Sequence, residues 1–373
     1  MRHLLAAFAP LVLVAACATP QQDVDWSVKL PSGMGGSAYG AFLAGQGALN
    51  DGKGAEAAAY FQRAEIEGGA NAMIQDRAFT AAVLAGDITK AAALAPTSEE
   101  ASDSTKRMGR LVKAVELMAE NDGKGAQAVL SGDPVGFPHR AAAALLSPWA
   151  AAMAGDVEGS LVRPEVRGDR VVEYFGQLGQ AALFERAKRY DEAETDYKAL
   201  TAGQDPADMM ALAYGGFLER RGRRDEAVAL YDKVLAGSMV NAQVQAARAR
   251  AAAGKTPPPL PSLRSGAAQV LIAPAAGMLA AKQDQLGLAY LRLALRLDPG
   301  RNEAWLMVGD LMESAGDPDA ARAAYNKPKP GSPEYATARA KLAWSYQKGE
   351  ESEVALKMAQ EAALSGEVEA RIT

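Results

Sequence analysis

The sequence has very few residues of the kinds that carry metal and nucleophilic chemistry. Its 373 residues include two histidines, His3 and His139, and one cysteine, Cys17. A Cys/His zinc cluster cannot be assembled from this set, so we expect no metal site and no cofactor. A Ser-His-Asp or Cys-His site would need His139, which follows a proline at an expected helix start and is better explained as a solvated or capping side chain. We therefore predict no catalytic residues and no enzymatic activity.

Aromatic residues are also scarce, at 6%, whereas alanine and leucine are abundant and β-branched runs are few. Small aliphatic residues of high helix propensity favour an all-α protein, and the length is ample for a large core or for two domains. The net charge of −5 makes a nucleic-acid partner unfavourable on electrostatic grounds.

The first residues have the pattern of an export signal. Arg2 supplies a positive charge, and residues 4–13 form an apolar stretch that is too short to cross a membrane as a helix. Leu13-Val14-Ala15-Ala16-Cys17 resembles the lipobox of bacterial lipoproteins. The resemblance implies cleavage after residue 16 and lipidation of Cys17, with several acyl chains giving a stable membrane anchor.

The resemblance also implies a location. Ala18 stands where signals for inner-membrane retention tend to have aspartate, so we expect an outer-membrane lipoprotein that faces the periplasm. Residues 1–16 are the expected signal peptide. Residues 17–36, polar and containing proline and glycine, are the expected flexible tether.

One octapeptide occurs twice, as NDGKGAEA at 50–57 and as NDGKGAQA at 121–128, so that the starts differ by 121 − 50 = 71 in residue number. A turn glycine followed five residues later by a small residue recurs along the chain. Taking the small residue of each copy, and Ala128 in the second octapeptide, successive differences in residue number are 34, 37, 32, 33 and 34 up to Ala227. The difference between Ala321 and Ala355 is again 34.

A period near 34 with a helix on each side of a glycine turn resembles the tetratricopeptide repeat (TPR). The best unit has Trp305, Val308, Gly309 and Met312 in its first helix, then Ala321 and Tyr325 in its second. The resemblance covers roughly residues 38–373. It implies a TPR-like α-solenoid, a right-handed superhelix of antiparallel helix pairs that stack because no pair can bury its apolar face alone.

The regular pattern is interrupted once, by GKTPPPLPSLRSG at 254–266. The prolines prevent a helix where the second helix of a unit is expected. We therefore predict N-terminal repeats over 37–253, a proline-rich linker over 254–266 and C-terminal repeats over 267–373, as two stacks joined by the linker.

Relatives with this repeat commonly bind peptides or partner segments on the concave face formed by the first helices of the units. The resemblance implies that particular places of each unit point into this groove. These candidate groove residues are Tyr39, Phe42, Gln46, Phe175, Glu185, Arg186, Met209, Glu219, Arg220, Glu303, Leu306, Asp310 and Glu313.

Cations cluster at two adjacent corners between helices. ERAKRY and ERRGRR place there Arg186, Lys188, Arg189, Arg220, Arg221, Arg223 and Arg224. Cations favour helix C-termini, which is one explanation. The other is a patch for an anionic partner, such as lipid headgroups, an acidic protein or a cell-wall polymer.

The sequence thus predicts a non-catalytic adaptor for an envelope assembly, which binds a protein or peptide partner and is held at the membrane by its N-terminal lipid. Two alternatives stay open at this point. One is a periplasmic enzyme whose solenoid holds a pair of carboxylates, since acid–base chemistry needs no histidine. The other is a cytoplasmic repeat scaffold whose apparent signal is spurious.

Overall fold

A computed structural model describes residues 37–69, 71–97, 101–132, 135–202, 207–237 and 241–364. The expected signal peptide and tether, with Cys17, lie outside these ranges.

Within the described ranges the chain forms nineteen α-helices and no strand, which confirms the all-α, TPR-like solenoid prediction. The first eight helices are α1 (Ala38–Asn50), α2 (Gly54–Gly68), α3 (Ala72–Ala85), α4 (Ile88–Ala93), α5 (Asp103–Ala119), α6 (Gly123–Ser131), α7 (Arg140–Ala154) and α8 (Val157–Ser160). The next five are α9 (Arg170–Arg186), α10 (Tyr190–Leu200), α11 (Asp208–Arg220), α12 (Arg224–Gly237) and α13 (Ala242–Ala252). The last six are α14 (Leu263–Ala280), α15 (Asp284–Leu297), α16 (Asn302–Ser314), α17 (Pro318–Tyr325), α18 (Tyr335–Lys348) and α19 (Ser352–Leu364).

Short corners separate the two helices of each pair because one residue there adopts a left-handed conformation that ends the first helix. Glycine fills this place at Gly86 and Gly155, where the backbone N–H returns to carbonyls of the helix that ends there. Asparagine and lysine fill it at Asn121 and Lys188, with φ of 64° and 62°. The next helix starts directly afterwards, and the Asp87 side chain caps α4 by accepting from the Lys90 N–H.

The two octapeptides are not structurally equivalent in the register that their letters suggest. Gly52 is the left-handed residue of the first copy, but Asn121 takes that place in the second. The buried small residue that corresponds to Ala57 is therefore Ala126, whereas Ala128 is exposed. The prediction of Ala128 is wrong, because asparagine tolerates the left-handed conformation and the corner can begin two residues earlier. With Ala126 the successive differences in residue number become 34, 35, 34, 33 and 34, which is more regular than the sequence indicated.

The two helices of several pairs approach closely where a glycine of the first faces an aromatic ring of the second. A Cβ at Gly309 would lie 2.2 Å from Tyr325 Cε1, and a Cβ at Gly215 would lie 2.3 Å from the Tyr231 hydroxyl. The separation in sequence is the same in both pairs, since 325 − 309 and 231 − 215 are both 16. This packing explains why the repeat needs a residue without a side chain in the middle of its first helix.

Helices α1–α13 pack in chain order, except that α9 packs on α7 rather than on the short α8, and α14–α19 pack on their neighbours in chain order. The second series, however, does not extend the first beyond α13. Helix α14 packs against α7 and α9, and helix α15 packs against α3 and α5. The chain therefore folds back, and the α14–α15 hairpin lies along the first helices of the N-terminal repeats.

Side chains of this hairpin fix its position by binding carbonyl groups at the C-terminal ends of those first helices. Arg264 donates to the Ala119 carbonyl at the end of α5 (3.0 Å). Arg292 Nε donates to the Leu84 carbonyl of α3 (3.2 Å). Helix ends carry unpaired carbonyls and a partial negative charge, so guanidinium groups stabilise them both as donors and as cations.

The buried core follows the fold-back. One large hydrophobic cluster joins residues of α1–α9 to residues of α14–α18, and a second cluster is confined to α9–α13. Helix α14 is long and apolar enough to cross a membrane by length and composition, but half of it is buried against α7, α9 and α15, as in a core helix. The division at 253 and 267 into separate repeat domains stays a prediction.

Candidate partner-binding cleft

A cleft of about 420 Å³ lies where the C-terminal helices meet the repeats around α9, α11 and α13. Helices α14 and α16 form the opposite side. One wall is the strap, by which we mean residues 254–262, the part of the predicted linker that precedes α14. The residues that line the cleft include Trp149, Tyr197, Asp208, Met209, Gln243, Arg220, Pro258, Pro261, Arg301 and Glu303.

The strap is extended because four prolines restrict it. Every residue that precedes a proline is pushed out of the helical region, and this applies to Thr256, Pro257, Pro258 and Leu260. Four of the strap's backbone nitrogens belong to proline and carry no hydrogen. The strap therefore has few backbone donors of its own, and its carbonyl groups can accept hydrogen bonds from side chains elsewhere in the chain. No helix or strand forms over the strap.

Two arginines bind the strap at the corners that follow α11 and α9. Arg220 Nη1 donates to the Pro258 carbonyl (3.2 Å), and Arg186 Nη2 donates to the Pro261 carbonyl. Gly216 lies beside both groups: a Cβ at that position would be 3.4 Å from Pro258 Cγ, an ordinary contact, and 3.1 Å from Arg220 Nη1, a tight one. The strap thus crosses the repeats in reverse order, first α11 and then α9.

Arg220 is itself held by a buried carboxylate. Its Nε and Nη2 donate to the two oxygens of Glu185 at 2.7 and 2.8 Å. Burial lowers the pKa of Arg220, but hydrogen bonds and charge attraction from Glu185 outweigh this and raise it overall. The guanidinium is therefore a cation fixed by two hydrogen bonds to Glu185, and its Nη1 remains for a carbonyl in the cleft.

Polar side chains close the cleft at the junction of α13 and α16. Glu334 accepts from Gln243 at the start of α13 and from Asn302 Nδ2 of α16 (2.9 Å). Nearby, Arg301 donates to the Ser265 carbonyl (2.6 Å) and forms an ion pair with Glu303 (3.3 Å). Of these contacts, the one between Gln243 and Glu334 ties the C-terminal helices to the last of the N-terminal repeats.

The floor of the cleft is apolar and partly aromatic. Trp149 and Leu178 are buried there, and Met209 is half-buried. The ring of Tyr197 stacks on Tyr214 with centroids 5.9 Å apart, and burial raises the pKa of the Tyr197 hydroxyl. Such a surface suits apolar side chains of a ligand rather than a reacting polar group.

The two carboxylates that line the cleft are engaged by neighbouring side chains. Asp208 accepts from Asn241, and Glu303 pairs with Arg301. Each of these two carboxylates therefore has a partner within the chain. In the part of the chain that the structure describes, no group of three or more His, Cys, Asp or Glu side chains could hold a metal ion.

The structure brings three of the predicted groove residues, Met209, Arg220 and Glu303, to this cleft. Others form ion pairs between the first helices of successive units, about one repeat apart in sequence. The pairs are Glu185–Arg220, Glu219–Arg250, Asp310–Lys341 and Glu313–Lys348, with N···O distances of 2.7, 2.8, 2.7 and 3.0 Å. These residues stabilise the stack.

The remaining predicted groove residues lie apart from the cleft. Tyr39 is exposed on α1, and Phe42 packs edge-to-face on Phe61 in the same unit. Gln46 is half-buried and donates to Asn50. Phe175 and Leu306 are half-buried against the core.

The predicted cationic patch is largely paired within the chain. Arg189 binds Glu192 (2.6 Å), Arg223 binds Glu194 and Glu226, and Arg221 stacks over the Tyr190 ring at 3.9 Å. Arg186 and Arg220 bind the strap as described. Lys188 and Arg224 are exposed. An anionic partner for this patch stays a prediction.

His139 lines a separate cavity of about 300 Å³ beside α3, α5 and α15. Its prediction as a solvated or capping side chain is wrong. The ring is buried, it makes no cap, and its Nδ1 is 2.9 Å from the Tyr290 hydroxyl of α15. Burial lowers the pKa of His139 to about 4, against a smaller opposing effect of a hydrogen bond with the Ser104 backbone. The neutral ring helps to join α15 to the N-terminal repeats.

Several residues of the cleft escaped the sequence analysis. The strap was predicted as a linker, but nothing in its composition indicates that it crosses α11 and α9. Trp149 and Arg301 come together only because the chain folds back, and no periodic signal marks such a contact. The one available signal was the break in the repeat, because a missing second helix leaves the neighbouring surface uncovered.

No family model and no curated protein matches this sequence. Among solved structures, similarity extends to the crystal structure of the APC/C hetero-tetramer Cut9-Hcn1, with 14% identity, a TM-score of 0.30 and coverage of 87% of this chain and 72% of that one. The P58(IPK) TPR domain gives 14% identity, a TM-score of 0.25 and coverage of 90% and 95%. A monomeric IFIT1 mutant with Gppp-AAAA gives 15% identity, a TM-score of 0.27 and coverage of 88% of this chain and 78% of that one.

Proposed function

We propose that this protein is a non-catalytic scaffold that binds an extended peptide segment of a cell-envelope protein in the cleft between α9, α11, α13 and the C-terminal helices. The observation that carries the proposal is the pair of arginines, Arg186 and Arg220, which already bind carbonyl groups of an extended chain there. An apolar floor beside fixed donors is what recognition of a peptide requires, since the donors orient the backbone and the floor takes its side chains.

A cleft-filling substitution tests this proposal. Ala213 is a half-buried residue of α11 that lines the cleft, so Ala213→Phe fills part of it. Ala246 is an exposed residue of α13 outside the cleft lining, and Ala246→Phe is the matched control. Proteins that copurify with the full chain from detergent extracts of the envelope should be lost with the first variant and kept with the second. Equal recovery with both would refute a role for the cleft.

We propose further that a lipid on Cys17 holds the scaffold at the outer membrane, facing the periplasm. The lipobox-like residues before Cys17 support this location, and the fold neither requires nor opposes it. Incorporation of labelled palmitate by the wild type, and its loss in Cys17→Ser, would support the anchor. Without incorporation, a cytoplasmic scaffold becomes the better explanation.

A further inference from the structure

We infer that the strap, which forms one wall of the partner-binding cleft, is an internal ligand of Arg186 and Arg220, and that the partner presents an extended, proline-containing segment that replaces it. The inference rests on the proposed function and names the chemistry of the partner. It follows from what the strap contacts, from how it is held and from what lies beside it.

The strap is bound as a ligand backbone would be. Its contacts with Arg186 and Arg220 use main-chain carbonyls, which any extended segment can offer in the same geometry. Neither arginine recognises a side chain of the strap. The donors come from the first helices of two successive units, so they lie one repeat apart along the path of an extended chain.

The surroundings favour proline in particular. Pro258 and Pro261 line the cleft together with the buried rings of Trp149 and Tyr197. Aromatic-lined grooves bind proline-rich chains well, because the extended conformation is already formed and little conformational entropy is lost. The ring of Pro258 also lies beside Gly216 of α11, where a Cβ would be 3.4 Å from Pro258 Cγ, an ordinary contact distance.

The strap is also only partly buried. Pro259 is exposed, and Pro257, Leu260 and Pro261 are only half-buried. A tethered segment nevertheless competes strongly, because a short linker gives it an effective concentration of about 1 mM or more. If the open cleft binds such a segment with a Kd near 0.1 mM, the attached strap lowers the affinity for the same peptide by roughly tenfold.

The strap's own sequence serves as the probe. A fluorescent peptide KTPPPLPSLR, residues 255–264, is titrated against the full chain and against a variant in which residues 256–261 are replaced by alternating glycine and serine. Saturable binding to the variant, with at least tenfold weaker binding to the wild type, is expected. A peptide with its four prolines replaced by alanine should bind the variant at least fivefold more weakly.

Further variants identify the contact. In the strap-replaced background, Arg186→Ala should weaken peptide binding, whereas Arg224→Ala, at an exposed position of the next corner, should leave it unchanged. If the full replacement does not fold, Pro258→Ala with Pro261→Ala, which keeps the length of the strap, takes its place. A folded variant that does not bind the peptide, or equal affinity of variant and wild type, would overturn the inference. In both of these outcomes, loss of copurifying proteins in Ala213→Phe but not in Ala246→Phe would still support the proposed function.

Discussion

The fold-back of the chain can be tested at Gly266, where α14 meets α7. A Cβ at this position would lie 2.1 Å from both Cη2 and Cζ3 of Trp149. Carbon atoms in contact are normally separated by at least about 3.5 Å, so Gly266→Ala forces a displacement of roughly 1.4 Å. Trp149 is buried, so the ring cannot move aside into solvent. Overpacking of this kind costs about 1–3 kcal/mol of unfolding free energy.

Gly277 provides a control in the same helix. It is exposed, and a Cβ there would have no neighbour within 4 Å. Both alanine substitutions gain about 1 kcal/mol from higher helix propensity, so the difference between them isolates the contact with Trp149. We expect Gly266→Ala to be less stable than Gly277→Ala by about 1–3 kcal/mol.

Urea unfolding followed by circular dichroism measures this difference. With an m-value of about 3 kcal/mol/M, the two midpoints should differ by roughly 0.3–1 M. Trp149→Phe, which removes the ring atoms that meet the new methyl group, should reduce the penalty of Gly266→Ala in a double-mutant cycle. Equal midpoints for the two alanine variants would show that α14 does not pack on α7.

Three further predictions concern charged groups. Arg220→Ala should cost about 3–5 kcal/mol, because it leaves a buried carboxylate without its partner, whereas Arg189→Ala breaks an exposed pair and should cost less than about 1 kcal/mol in the same urea assay. The pKa of His139 in the folded chain, about 4, lies below its ordinary value of 6.5, so the unfolded chain binds the proton more tightly. The contribution of this residue to the free energy of unfolding is present above pH 6.5 and should fall by about 3 kcal/mol as the pH drops to 4. A His139→Gln variant, measured by urea unfolding at both pH values, should lack this part of the pH dependence. Lys188→Glu with Arg224→Glu should abolish recovery of an anionic partner at unchanged melting temperature, and unchanged recovery would show that this patch binds none.

The helix pairs could be predicted from the sequence because their packing depends on local and repeated requirements. A glycine opposite an aromatic ring of the next helix, at a constant separation in sequence, and a small residue at the start of the second helix recur with little variation. The register of the second octapeptide was misjudged for a physical reason. Asn121 takes the left-handed conformation that Gly52 takes in the first copy, so residues at the same place in the two octapeptides occupy different structural positions.

The cleft could not be predicted, because it is formed by contacts between distant parts of the chain. Arg220 and Pro258 are 38 residues apart in sequence, Arg186 and Pro261 are 75 apart, and Gln243 and Glu334 are 91 apart. An arginine on a helix face is equally compatible with solvent, with a carboxylate and with a carbonyl at the end of another helix. The same ambiguity affected Glu219, which the repeat places towards the groove and which binds Arg250 of the next unit.

The fold-back determines how a partner can compete for the cleft. The α14–α15 hairpin covers the ends of the first helices of the N-terminal repeats, and the strap covers those of α9 and α11. A peptide that needs Arg186 and Arg220 gains them only when the strap leaves, so its apparent affinity is reduced by the fraction of molecules with an open cleft. An isolated peptide must overcome this reduction alone. A segment attached to a partner that also contacts another surface of the chain has a raised local concentration and can displace the strap at much lower partner concentration. We therefore expect the cleft to favour partners that also contact a second surface of the chain, and to bind free proline-rich peptides less well.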